Sequence, residues 1–261
     1  MAVNAKNTYI IGTSGYSFGD WIGTFYPADT KQREMLARYV THFETVEINF
    51  TFYRLPPPRT MDAIARKTPD GFTFWVKANQ ATTHEGVRGI RDDFLAGIEP
   101  MREAGKLAGL LLQFPQRFHR TISNRKYLAA VLEDYKALPR AVEFRHASWE
   151  HPSVLEGLRA RGVTLAVPDV PDLPGLYHVG AAATTKTGYL RLHSRDASKW
   201  YAPDGVDRYD YGYSPQELDE LVAAWEDLDE PMDEVYVFFN NCHHGQAAQN
   251  AEALRKVLGQ I

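Results

Sequence analysis

The sequence predicts one α/β domain over residues 1–261, folded as a single (β/α)8 TIM barrel with a closed sheet of parallel strands. Three observations support this fold. The length of 261 residues is close to the roughly 250 typical of one such barrel. Short apolar segments recur with amphipathic segments between most of them, as expected for parallel strands joined by crossover helices. No glycine-rich dinucleotide or phosphate-loop motif is found, which disfavours an open doubly wound sheet.

The short apolar segments predict eight strands. In chain order these are residues 9–12, 45–49, 72–78, 108–114, 141–145, 164–167, 189–193 and 235–240. The amphipathic segments predict helices at residues 32–42, 60–67, 92–104, 125–137, 152–161, 215–226 and 246–258. Strands that alternate with helices in this way favour a closed barrel.

Two connections depart from the repeating pattern. Residues 169–187 contain Pro171 and Pro174 and have no helical period, so we expect the sixth helix to be missing or degenerate. Residues 194–214 form a long segment rich in Trp, Tyr, Arg and Asp, and loops of this kind often carry function. Its Trp200 and Tyr201 are predicted to stack on bases or sugars. The alternative is a loop folded on its own hydrophobic cluster.

The amino-acid composition limits the classes of protein to which the chain can belong. Cys242 is the only cysteine, which excludes a disulfide within the chain and agrees with a cytoplasmic location. No apolar run approaches the roughly 18 residues of a membrane span, so we expect no membrane partner. The net charge of -4 gives no overall attraction to nucleic acid, whose binding would need a local basic patch. The oligomeric state is not indicated.

Polar residues end several predicted strands in pairs two positions apart. The pairs are Glu47 with Asn49, Lys77 with Asn79, Glu143 with Arg145, and Arg191 with His193. Because side chains alternate along a strand, each pair lies on one face and apolar neighbours such as Val76 and Phe144 take the other. We expect the polar face to point into the mouth at the carboxyl ends of the strands, where barrel enzymes keep their active sites. Gln113 and Asn240 would join this ring.

The ring carries three cationic side chains against two carboxylates when its histidine is neutral, so it suits an anion such as a phosphate. The residues predicted to bind the ligand are Asn49, Lys77, Gln113, Arg145, Arg191, Trp200, Tyr201, Asn240 and Asn241. The residues predicted to be catalytic are Glu47, Glu143 and His193. The alternative is that these charges only neutralise one another in a buried network that stiffens the barrel.

A metal is a further alternative. Glu47, Glu143 and His193 have ligand types that suit a divalent ion. No His-x-His or Glu-x-x-His spacing supports such a site, and nearby cations oppose it. We therefore assign no metal residues and no cofactor, while a divalent metal stays possible.

The strand ends and loops also carry a family resemblance. Residues 12–16 (Gly-Thr-Ser-Gly-Tyr), 44–49 (Glu-Thr-Val-Glu-Ile-Asn), 143–145 (Glu-Phe-Arg) and 189–193 (Tyr-Leu-Arg-Leu-His) follow one another in the order found in the YecE-like family, known as domain of unknown function seventy-two. The likeness runs from Ile10 nearly to the carboxyl terminus and implies a TIM barrel. It implies no reaction, because the family has no settled activity.

These observations leave three hypotheses. In the first, the barrel mouth binds a phosphate-bearing ligand, namely a nucleotide, a nucleic acid or a phosphosugar. In the second, the protein is a metal-assisted isomerase, lyase or hydrolase acting on a sugar or phosphoester. In the third, it is a non-catalytic binding or scaffold protein.

Overall fold

The computed structural model describes residues 5–202, 207–229 and 231–261, and within them eight parallel strands form a nearly closed barrel. The strands are β1 (Tyr9–Thr13), β2 (Thr45–Ile48), β3 (Thr73–Lys77), β4 (Leu107–Gln113), β5 (Arg140–Glu143), β6 (Thr164–Asp169), β7 (Thr187–Leu192) and β8 (Glu234–Phe239). Their hydrogen-bonded order is β1-β8-β7-β6-β5-β4-β3-β2, and all pairs are parallel. The predicted TIM-barrel fold is confirmed.

Nine α-helices occur in the described part of the chain. They are α1 (Met35–Tyr39), α2 (Phe50–Tyr53), α3 (Pro58–Arg66), α4 (Gln80–Thr83), α5 (Arg91–Glu103), α6 (Ile122–Asp134), α7 (Pro152–Arg159), α8 (Pro215–Glu226) and α9 (Gln246–Val257). Residues 170–186, all of them described, contain no helix, which confirms the predicted loss of the sixth one. None of the described helices is both long enough and apolar enough to cross a membrane.

Some helix bounds differ from those expected. Helix α6 begins at Ile122 rather than at residue 125, because the Thr121 hydroxyl caps it by accepting from the Asn124 amide at 3.1 Å. Helix α1 follows a 3-10 turn at Gln32–Glu34 and ends at Tyr39 rather than at residue 42. Helices α2 and α4 were not predicted, since a single turn is too short to show a helical period.

Side-chain alternation along the strands produces two apolar layers. The outward faces pack against the helices, as Val46, Val76 and Val142 do. The inward faces fill the barrel with a smaller cluster formed by Trp75, Leu111, Ala141, Ala166, Tyr189, Tyr236 and Phe238. Trp75 fits because Gly109 has no side chain, and a β-carbon there would lie 2.5 Å from the Trp75 ring. This apolar layer closes the barrel beneath the polar strand ends.

The barrel has one seam, between β1 and β2. Among the described residues, no strand ladder joins these two neighbours. The buried hydroxyl of Tyr39 accepts from the Thr13 amide at 2.9 Å and donates to the Thr45 carbonyl at 3.0 Å. The strands nevertheless approach closely, since a β-carbon on Gly12 would lie 2.4 Å from the Thr45 carbonyl oxygen. A side chain thus supplies the link that a backbone hydrogen bond makes elsewhere in the barrel.

Candidate functional site

An ion network lies one layer above the apolar barrel interior. Arg191 of β7 donates to both carboxylate oxygens of Glu47, at 2.7 and 2.9 Å, and to Glu143 at 2.6 Å. Tyr189 donates to Glu47 at 2.6 Å. Glu47 and Glu143 are fully buried and Arg191 is 1% exposed. The period of two places these residues inward, because 189 and 191 share the inward face of β7.

The carboxylates in this network are held in their ionised form. Burial acts to raise the pKa of Glu47, but the charge and hydrogen bonds of Arg191 outweigh it and leave that pKa below its usual value. Burial likewise opposes ionisation of Glu143, and the charges of Arg145 and Arg191 again lower its pKa. Neither acid is therefore poised to exchange a proton near neutral pH.

A second tier links Arg145, His193 and Asn240. The guanidinium of Arg145 bonds Glu143 through Nε and reaches His193 Nε2 through its NH2 group at 3.0 Å. Burial and the charge of Arg145 hold the pKa of His193 well below its usual value, so the ring is neutral. Arg145 can only donate, so Nε2 accepts and the ring proton lies on Nδ1.

This tautomer fixes the amide of Asn240. The Asn240 side-chain amide lies 2.8 Å from Nδ1 of His193. Because the protonated Nδ1 donates, the amide atom that faces the ring must be the oxygen, which accepts the hydrogen bond. The amide nitrogen and oxygen have nearly the same shape, so a rotation of the amide by half a turn places the oxygen there. The amide NH2 of Asn240 is then directed away from His193, and Asn240 lines the cavity above.

The cavity at the carboxyl ends of the strands has a volume of about 340 Å³. Its lining residues are Ser14, Phe18, Asp20, Asn49, Phe52, Tyr53, Lys77, Gln113, Arg145, Arg191, Tyr209, Asn240, Cys242 and His243. Lys77 ends β3 and places its ammonium nitrogen 4.2 Å from the centre of the Phe52 ring. Burial and repulsion by Arg191 lower the pKa of Lys77 to about 7, despite the opposing attraction of Glu47. The mouth thus combines fixed cations, amide groups and aromatic walls.

Comparison with known proteins identifies the family. The family model described as "Protein of unknown function DUF72" matches residues 10–261. The chain belongs to the DUF72 family. A crystal structure of a DUF72 family protein from Thermotoga maritima is 40% identical with a TM-score of 0.89, covering 97% of this chain and 100% of that one. A DUF72 family protein from Enterococcus faecalis is 28% identical with a TM-score of 0.85, covering 97% and 96%.

The curated relatives carry family names without an activity. The UPF0759 protein YunF of Bacillus subtilis is 32% identical over an alignment of 267 positions, which covers 95% of this chain and 94% of that protein. The UPF0759 protein YecE of Escherichia coli K12 is 29% identical over 147 residues, about half of either chain. The resemblance to the YecE-like family is thus confirmed, and DUF72 membership supplies a fold rather than a reaction.

The cavity at the mouth of this DUF72 barrel contains most of the predicted ligand-binding residues. Asn49, Lys77, Gln113, Arg145, Arg191 and Asn240 all line the cavity. The predicted catalytic residues Glu47, Glu143 and His193 lie together beneath it with no exposed surface. Their contacts position Arg145, Arg191 and Asn240, and a direct catalytic role for them stays a prediction.

Three predicted ligand-binding residues lie away from the cavity. Trp200 is buried against Val170 and Leu176, so this part of the loop folds on its own hydrophobic cluster. Tyr201 is exposed and accepts from the Gln116 side chain at 3.1 Å. Asn241 is fully buried, and its amide donates to the Tyr211 carbonyl at 2.7 Å. Residues 203–206 of the same loop lie outside the described part.

Several mouth residues were missed at the level of sequence. Phe52 and Tyr53 line the cavity from α2, the short helix after β2. Tyr209, by contrast, belongs to the long aromatic loop after β7 that was predicted to carry function, and it also lines the cavity. Tyr189 was missed as a network member, although its spacing from Arg191 and His193 places it on the same strand face. For Phe52 and Tyr53 the only available signal was their position directly after a strand that ends in polar residues.

Among the described residues, the structure brings no set of metal ligands together. Within residues 5–202, 207–229 and 231–261, no three His, Cys, Asp or Glu side chains are grouped to hold a metal ion. The oxygens of Glu47 and Glu143 instead accept hydrogen bonds from Arg191. Metal binding by Glu47, Glu143 and His193 therefore stays a prediction without structural support among these residues.

Proposed function

We propose that the barrel mouth binds a small phosphate-bearing ligand, of the size of a phosphosugar or a mononucleotide. The observation that carries this proposal is that Lys77 and Arg145 open onto one cavity whose neighbouring carboxylates already bond Arg191. An arriving anion therefore meets Lys77 and Arg145 at this face rather than the carboxylates of Glu47 and Glu143, which are fully buried. Phosphate accepts hydrogen bonds from guanidinium and ammonium groups strongly.

The balance of charged side chains in the mouth favours the binding of an anion. Lys77, Arg145 and Arg191 share two buried carboxylates, and the charges of both arginines disfavour the protonated form of Lys77. A phosphate bound beside Arg145 would offset part of this positive charge.

The shape and remaining polar groups favour a small molecule over a polymer. A cavity of about 340 Å³ lies at the lower end of the usual range for small-molecule sites. Phe52 and Tyr209 provide apolar walls, and Asp20 adds an acidic group to the lining, which disfavours a polyanion. The buried amide oxygen of Asn49 has no hydrogen-bond partner within the described residues and can accept from a sugar hydroxyl.

Isothermal titration calorimetry tests this proposal, with ribose 5-phosphate and adenosine 5′-monophosphate as probes and ribose and adenosine as unphosphorylated controls. Arg145→Leu should weaken phosphate binding about ten- to hundred-fold, which corresponds to the binding free energy of one or two hydrogen bonds from a charged group. Arg66→Leu, on an exposed ion pair with Asp62, is the matched control and should bind as the unmodified protein does.

The possible outcomes separate the hypotheses. Binding of neither phosphorylated probe, or equal binding by Arg145→Leu, would overturn the proposal and favour a scaffold. Binding of a short oligonucleotide in place of both probes would overturn the small-ligand form. We propose that the protein binds this ligand in the cytoplasm, because its single cysteine agrees with a reducing compartment.

A further inference from the structure

We propose that Lys77 is a nucleophile that forms an imine with the aldehyde or ketone carbon of the phosphorylated ligand. The inference rests on the proposed function, since the phosphate brings the carbonyl group to the mouth. It adds a chemical class to that ligand, namely a phosphate ester that also carries a free carbonyl, such as an open-chain phosphosugar.

The surroundings of Lys77 distinguish it from the other cations of the mouth. Arg191 and Arg145 each bond a buried carboxylate. No described carboxylate lies within ion-pair distance of Lys77, and its nitrogen faces the ring of Phe52 instead. An aromatic face is a weak partner compared with a carboxylate, so it leaves the amine accessible to a ligand in the cavity.

The electrostatics supply a reactive amine. Burial and the charge of Arg191 lower the pKa of Lys77 to about 7, so the neutral amine is far more populated near neutral pH than in an ordinary lysine. An ordinary lysine with a pKa of about 10.4 is less than about 0.1% neutral at that pH. Desolvation beside another cation is a recognised way in which proteins activate a lysine amine.

The step balances without an added oxidant or reductant. The Nζ lone pair of the neutral amine attacks the carbonyl carbon, and a C–N bond forms while the carbonyl π bond breaks. The oxygen takes one proton from the attacking nitrogen and a second from solvent and leaves as water, which breaks the C–O bond, and the nitrogen lone pair completes the C=N bond. The imine nitrogen keeps its remaining proton and carries one positive charge, equal to that of the proton taken from solvent, while Arg145 and the Asn240 amide remain available to the phosphate.

The other candidate nucleophile in the cavity is less suited. Cys242 lines the mouth, and its Sγ lies 3.6 Å from the Ser14 carbonyl oxygen, an acceptor for the thiol proton. Burial and the charge of Glu47 raise the pKa of this thiol well above its usual value. The thiolate is therefore scarce at neutral pH, whereas the neutral amine of Lys77 is abundant.

Reductive trapping tests the inference. The protein is incubated with pyridoxal 5′-phosphate, a phosphorylated aldehyde, then reduced with sodium borohydride and analysed by peptide mass spectrometry. We expect one saturable adduct, on Lys77, whose rate of formation rises from pH 6 to pH 8 and then levels off. Pyridoxal, which lacks the phosphate, should label Lys77 at least about ten-fold more slowly, the value of one charged hydrogen bond.

Variants assign the site of trapping. Lys77→Arg keeps the positive charge but has no amine that can form an imine, so the adduct should vanish. Lys126→Arg, at an exposed position on α6, is the matched control and should trap the probe as the unmodified protein does. Calorimetry with pyridoxine 5′-phosphate, which lacks the aldehyde, separately measures phosphate binding.

The two proposals fail in different ways. Binding of pyridoxine 5′-phosphate with adducts only on other lysines would overturn the imine and leave the anion site standing. Failure of pyridoxine 5′-phosphate to bind, with any labelling of Lys77 independent of the phosphate, would overturn both proposals.

Discussion

Replacement of Arg191 by Met is the sharpest test of the buried network. Methionine retains a long flexible side chain but removes the guanidinium that bonds Glu47 at 2.7 and 2.9 Å and Glu143 at 2.6 Å. Glu47 then keeps only the hydroxyl of Tyr189, and Glu143 keeps Arg145. The main consequence is a buried Glu47 carboxylate without its cation.

The expected loss in the free energy of unfolding at pH 8 is about 3–5 kcal/mol, as for other buried pairs from which one partner is removed. The loss should shrink at lower pH. Without Arg191, burial raises the folded-state pKa of Glu47 above its unfolded value of 4.5, so the folded state binds the additional proton. The stability of Arg191→Met therefore increases as the pH falls from 8 towards 5, relative to the unmodified protein.

Urea denaturation followed by tryptophan fluorescence at pH 8 and pH 5.5 measures both effects. Arg66→Met, in an exposed ion pair with Asp62, should unfold close to the unmodified protein at either pH. The double variant Glu47→Gln/Arg191→Met should recover part of the loss, because a neutral amide can still accept from Tyr189. A cost for Arg191→Met that is below about 1 kcal/mol, or independent of pH, would refute this reasoning.

Three further predictions concern the seam and the mouth. Tyr39→Phe removes the hydroxyl between Thr13 and Thr45 and should lower the free energy of unfolding by about 1–3 kcal/mol, with faster hydrogen exchange at the Thr13 amide; unchanged exchange would contradict the bridging role. Gly12→Ala places a β-carbon 2.4 Å from the Thr45 carbonyl and should cost about 1–3 kcal/mol in urea denaturation, and a neutral effect would refute the close approach. Lys77 loses its proton near pH 7 in the folded state but only near 10.5 when unfolded, so its contribution to stability should rise as the pH goes from 7 to 10. Lys77→Met should abolish that rise, and parallel pH profiles of the two proteins would contradict the lowered pKa.

The fold and the composition of the mouth follow from local sequence. Period-two alternation placed Lys77, Glu143 and Arg191 on the inward face, because every strand here is covered on both sides. The same rule accounts for the position of Asn241 away from the cavity. Asn241 shares its phase with the outward-facing Phe239, so alternation alone would have separated it from Asn240.

Local sequence could not show which charged residues of the mouth bond one another and which line the cavity. Arg191 and Glu47 are 144 positions apart, and no spacing indicates that one guanidinium bonds two carboxylates. The burial of Trp200 depends equally on long-range packing, because its cover comes from the helix-free segment that contains Leu176. Sequence thus identified the charged groups without showing which of them would line the cavity.

The hydroxyl bridge at Tyr39 gives the barrel a point of weakness with a defined location. A ladder resists separation through several backbone hydrogen bonds in parallel, whereas the hydrogen-bonded link that the described residues provide between β1 and β2 runs through one side chain of α1. Local unzipping should start there and present two bare strand edges, which readily pair with other chains. Ser14 and Glu47 flank this joint and both contact Arg191, so its opening would also disassemble the floor of the mouth. In this barrel, the closure of the sheet at β1 and β2 and the floor of the mouth are both linked to the hydroxyl of Tyr39.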